Sequence, residues 1–150
     1  MDMNSENYKI EMQKIFKSKI GLELVIPLVL VFGTVFFLTI KDNSSWLGLA
    51  ILLPLVLFIV HLFMNTYYTI NGNNLIVKSG FIINMTIDIK QIKKISETND
   101  PFSSPATSLD RLDIAFGTSG HVLISPKLKK EFIETIVMLN PAIEIKLKKK

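Results

Sequence analysis

Two long apolar runs, Leu24 to Ile40 and Trp46 to Met64, are separated only by Lys41-Asp42-Asn43-Ser44-Ser45. Few folds accommodate that pattern. A bilayer's hydrocarbon core needs about 20 predominantly apolar residues as a helix, and each run approaches that length once Leu22, Tyr67 and Tyr68 enter the interfaces. Backbone amides in hydrocarbon must be paired within their own segment, so both runs are expected to be helices, and so short a polar break returns the second antiparallel to the first. The expectation is a transmembrane hairpin over residues 22–66. Burying both runs in a soluble core would need more covering chain than 150 residues with a mean hydropathy of +0.39 supply.

The lysines orient the hairpin. Lys9, Lys14, Lys17 and Lys19 precede the first run, Lys41 alone sits in the connection, and Lys78, Lys90, Lys93 and Lys94 follow the second run. Positively charged flanks stay inside, so both termini and everything after the hairpin are expected on the cytoplasmic side of the plasma membrane, in a multi-pass arrangement. No small-residue cleavage site follows the first run, which is therefore expected to be retained. A net charge of +4 suits an anionic inner leaflet better than nucleic acid. The chain has no cysteine, which excludes disulfides, thiol catalysis and thiolate metal sites.

Residues 1–21 place Tyr8, Met12, Ile15, Phe16 and Ile20 at helical spacing with lysines elsewhere, the pattern either of an amphipathic interfacial helix or of a solvated extension with accidental periodicity. From Tyr67 the period changes to two residues. Tyr67 to Ile70 and Leu75 to Lys78 flank the turn Asn71-Gly72-Asn73-Asn74; Phe81 to Ile89 and Ile92 to Ser96 follow; Arg111 to Phe116 and His121 to Ile124 flank a second Gly-bounded turn. That predicts six strands. Glu97 to Asp110 reads as a long irregular loop. Ser125 and Pro126 suit the start of a helix carrying Leu128, Phe132, Ile136 and Leu139 on one face, which Asn140-Pro141 ends. Residues 67–142 are thus expected to form a small β-barrel or sandwich closed by a C-terminal helix, followed by a basic tail over 143–150. The fold class is an α+β membrane protein.

The stretch Ser104-Pro105-Ala106-Thr107-Ser108-Leu109-Asp110-Arg111-Leu112-Asp113-Ile114, with Ile124-Ser125-Pro126-Lys127 and Phe132-Ile133, resembles the bacterial pleckstrin-homology-like (PH-like) domain family of the YyaB type. The resemblance spans roughly Tyr67 to Pro141 and includes Asp88-Ile89 with Ile92. It implies a PH-like fold behind a short membrane segment. The size and layout are similar to immunity proteins of the sublancin type, which implies producer self-immunity against a bacteriocin in a Gram-positive bacterium. The implied partners are membrane lipid and a bacteriocin peptide or its membrane target; the competing class is a tethered scaffold or anionic-lipid module.

Catalysis is not expected. His61 lies in the second run and His121 beside a turn, so no metal-ligand spacing arises, and no Gly-rich phosphate loop is present. No cofactor is implied. Glu23 and His61 are ionisable groups at similar depth in the hairpin, and either a hydrogen bond between them or separate snorkelling to the interface satisfies them. In the long loop, Phe102, Pro105, Ser108, Asp110 and Arg111 are the candidate recognition residues, since binding groups favour loops on a rigid scaffold; the same residue types also serve simply to lock a loop. Lys146, Lys148, Lys149 and Lys150 either touch anionic lipid or remain a solvated end.

Overall fold

The computed structural model describes residues 13–41, 46–100 and 106–148. Both apolar runs are helices, α1 (Leu22–Lys41) and α2 (Trp46–Met64), long and apolar enough to cross a membrane. Only Leu52 in either helix is buried by the rest of the protein, so they are not the core of a soluble domain. Their hydroxyls are satisfied locally: Thr34 donates to the Leu30 carbonyl at 2.7 Å and Thr39 to that of Val35 at 2.8 Å.

Among the described residues before α1, 13–21, there is no interfacial helix. Gln13–Lys17 is a strand, β1, pairing antiparallel with β2 (Thr66–Asn71) so that Phe16 faces Tyr68. Tyr8 and Met12 lie outside the described residues. The helical stripe fails because Phe16 points inward, 3% exposed, while Ile15 points outward on the next position, which is the alternation of a strand. Phe16 meets Phe132 edge to face at 5.2 Å, and Lys14 pairs with Glu131 at 2.7 Å.

The hairpin is therefore an insertion between two adjacent strands. The first sheet continues through β3 (Asn74–Ser79) and β4 (Ile83–Asp88) in the order β1-β2-β3-β4. β2 and β3 are joined across Gly72, whose φ of 55° is cheap only for a residue without a Cβ. β4 begins at Ile83 rather than Phe81, because Gly80 to Ile82 form the turn. A 3-10 turn, Ile89–Gln91, leads to the second sheet: β5 (Ile92–Thr98), β6 (Arg111–Phe116), β7 (Gly120–Ile124) and a short β8 (Glu144–Lys146), ordered β7-β6-β5-β8. The expected basic tail is in part this strand, parallel to β5, with Ile143 buried beside it.

Helix α3 (Lys129–Leu139) packs Phe132, Ile133 and Ile136 onto a core that also holds Tyr68, Ile70, Leu75, Val77, Ile95, Leu112 and Ile114. Ser125 is not its cap. The N-cap is Leu128, with no side-chain hydrogen bond, because the Ser125 hydroxyl is used inside the domain. Asn140 ends the helix as expected, its amide bonding the Ile136 carbonyl and its side chain the Ile89 carbonyl at 2.9 Å. A bridge between Ser18 and Pro126 joins the open edges of β1 and β7.

Candidate functional site

The residues linking β1 to α1 are hydrogen-bonded on both sides. The Lys19 amide donates to the Ser125 carbonyl at 2.6 Å, and the Gly21 amide to the Thr107 carbonyl at 2.9 Å. Beneath them lies a buried hydroxyl cluster. Ser18 Oγ is 2.8 Å from Tyr68 Oη and 3.0 Å from Ser125 Oγ, Thr107 Oγ1 donates to Ser18 Oγ at 2.9 Å, and the Ser125 amide donates to Tyr68 Oη at 3.0 Å. Burial pushes the Tyr68 phenol above its ordinary value, so it stays neutral. Buried hydroxyls that saturate one another rigidify a junction and leave no free nucleophile within the cluster.

Around this cluster the loop before β6 closes over the start of α1. Ser108 Oγ donates to Glu23 Oε1 at 2.7 Å and the Leu109 amide to the same oxygen at 2.9 Å. Glu23 and His61 do not pair with each other. Glu23 is taken by the loop, whereas His61 Nδ1 lies 3.1 Å from the Asn65 side-chain amide and its ring 5.4 Å from that of Phe81.

Of the expected recognition residues, Ser108 and Asp110 lie in this loop and Arg111 opens β6 directly after it; Phe102 and Pro105 lie outside the described residues. Ser108 and Arg111 face inward. Arg111 Nε donates to the Ser108 carbonyl at 2.6 Å and its Nη1 to the Asp100 carbonyl at 2.7 Å, so this guanidinium shapes the loop from within. Asp110 faces outward and bridges two cations, Lys19 at 3.0 Å and Lys129. Partial burial pushes the Asp110 carboxyl up, but Lys129 and Lys19 outweigh it and hold it below its ordinary value. For Lys129, burial pulls down and the bonds to Asp110 and Glu97 push up further, leaving it raised. Glu97 is lowered by Lys129 and then by the Lys148 amide, which donates to it at 2.8 Å.

Lys146 and Lys148 are exposed on the β8 side; Lys149 and Lys150 lie outside the described residues. Sequence reasoning missed Ser18, Tyr68, Thr107 and Lys129, which are joined only by tertiary pairing and carry no local signal. It also missed the apolar pair Phe81-Ile82, whose signal was present: two large apolar residues beside a turn glycine.

No curated protein matches the chain. A chain in the structure of the Spt16D Pob3N heterodimer is similar at a TM-score of 0.41 and 15% identity, covering 55% of this chain and 45% of that one. Residues 66–140, which run from β2 to the end of α3 and make up half of the sequence, match the bacterial PH domain family, and the chain belongs to that family.

Proposed function

We propose that the chain is a membrane-anchored binding module and that its ligand is a bacteriocin peptide or the membrane target of that peptide, which makes it a producer self-immunity protein of the sublancin type. In this reading α1 and α2 cross the plasma membrane, and both termini and the PH-like domain are cytoplasmic. One observation supports the anchoring: strands from both sides of the hairpin, β1 and β2, pair in one sheet, so the domain is joined to both helices rather than trailing from one. A module held against the bilayer is suited to meet a ligand that arrives through it. The lysine distribution supports the orientation, and the immunity role rests on the resemblance in size and layout.

Membership of the bacterial PH domain family supports the competing reading, a tethered scaffold or anionic-lipid module. Expressing the chain in a sensitive bacillus and challenging it with sublancin and with an unrelated bacteriocin separates the two. Selective survival is expected. Membrane expression without protection would leave the scaffold or lipid-binding role.

A further inference from the structure

The turn between β3 and β4 is built differently from the other hairpin turns. Gly72-Asn73 and Gly117-Thr118-Ser119 are small and polar, whereas Gly80 is followed by Phe81 and Ile82, 73% and 59% exposed. Strand direction sets where each turn lies. β2 leaves the end of α2 and β3 returns, with Ser79 opposite Thr66, so the β3–β4 turn comes back to the helix while the polar turns sit at the far end of their hairpins. The Gly80 amide donates to the Asn65 carbonyl at 2.9 Å. A Cβ at Gly80 would approach the Leu62 side chain to 2.7 Å, so the absence of one lets the turn press against α2.

This staple aims Phe81 back along the helix. Its ring lies 5.4 Å from that of His61 and 5.8 Å from that of Phe58. At 1.5 Å per residue those positions precede Met64 by about 4.5 and 9 Å along the axis. An aromatic ring at that level sits beside the span rather than beyond its end. Lys78 lies over the Tyr67 ring at 5.6 Å, one strand position above, supplying the cation and aromatic group characteristic of a membrane–water interface.

We infer that Gly80-Phe81-Ile82 is a membrane-inserted wedge, with Phe81 and Ile82 seated among the upper acyl chains of the leaflet that α2 leaves, and glycerophospholipid as its partner. The inference rests on the anchored reading above. Its role is to set the tilt of the domain: together with the two helix ends, the wedge gives the PH-like domain a third fixed point on the bilayer, away from the α1 junction. The occupant is lipid because the exposed Phe81 and Ile82 extend the apolar surface of α2 at Phe58 and Leu62, with His61 placed at the level where the interface begins.

Trp46 is the single tryptophan of the chain, which makes a direct test possible. The full chain is reconstituted in phosphatidylcholine–phosphatidylglycerol vesicles containing lipids brominated near the headgroup end of their acyl chains. Trp46→Phe/Phe81→Trp should show blue-shifted emission, quenched to an extent similar to Trp46 in the unaltered chain, whereas Trp46→Phe/Thr118→Trp should stay unquenched. Quenching of Trp46 without quenching at position 81 would overturn the wedge and leave the turn facing a protein partner. Absence of quenching at both positions would overturn the membrane anchoring itself, and the wedge with it.

Discussion

Ser18 Oγ lies 2.8 Å from Tyr68 Oη, although the two residues are 50 positions apart in a stretch that contains both apolar helices. The hairpin is thus tied at its base by a buried hydrogen bond as well as by strand pairing. We expect Tyr68→Phe to keep the packing but orphan the Ser125 amide, at a cost of about 1–3 kcal/mol. Chemical denaturation of the full chain in detergent, followed by a signal from the β domain, measures it; an unchanged midpoint would sink the idea.

Phe16 tests β1 directly. Truncation to alanine empties a core position against Phe132 and Tyr68, and a fully buried aromatic lost this way costs about 3–5 kcal/mol. If residues 13–17 were an interfacial helix, the same change would weaken membrane binding and leave the unfolding of the β domain alone.

The acceptor role of Glu23 predicts a local effect. Glu23→Ala removes the oxygen that receives both Ser108 Oγ and the Leu109 amide. Hydrogen exchange at Leu109 should accelerate while core amides such as that of Ile114 keep their protection. Equal acceleration at both would mean that the domain as a whole had been loosened.

Acid should destabilise the domain through the Lys129 bridge. Asp110 and Glu97 both titrate below their ordinary values in the folded chain. Such carboxylates stabilise the fold above their unfolded pKa and lose that contribution as pH falls through the lower folded value. The unfolding midpoint should therefore drop below about pH 4, the reference range for Asp and Glu. Lys129→Met should flatten this acid limb; an equally steep limb in the variant would place its origin elsewhere.

The C-terminal end separates strand from charge. Replacing Lys146 and Lys148 with Gln should leave the unfolding midpoint nearly unchanged, whereas Ile143→Ala removes a buried side chain at a cost of about 2–5 kcal/mol. The opposite ranking would mean that charge rather than packing holds this segment.

The legible parts of this chain were those with a local signature. The helices follow from run length, and β2 to β7 from alternation punctuated by Gly72, Gly80 and Gly117. β1 and β8 were not legible because their partners are remote: β1 pairs across the entire hairpin, and β8 runs parallel to β5 with no turn between them to announce it. Ser125 followed by proline has the chemistry of a helix start, yet its hydroxyl lies in the buried cluster; local propensity lost to a tertiary hydrogen bond. Asp110 and Arg111 lie together where the loop meets β6, and the inward direction of Arg111 depends on the Asp100 and Ser108 carbonyls, whose positions no spacing encodes.

The pairing of β1 with β2 also dictates an order of biosynthesis. The first strand leaves the ribosome early but has no partner until both helices have been made and the second has delivered Thr66 back to the same surface. A β domain that closes across its own apolar hairpin can report, simply by being folded, that the two ends of that hairpin lie side by side.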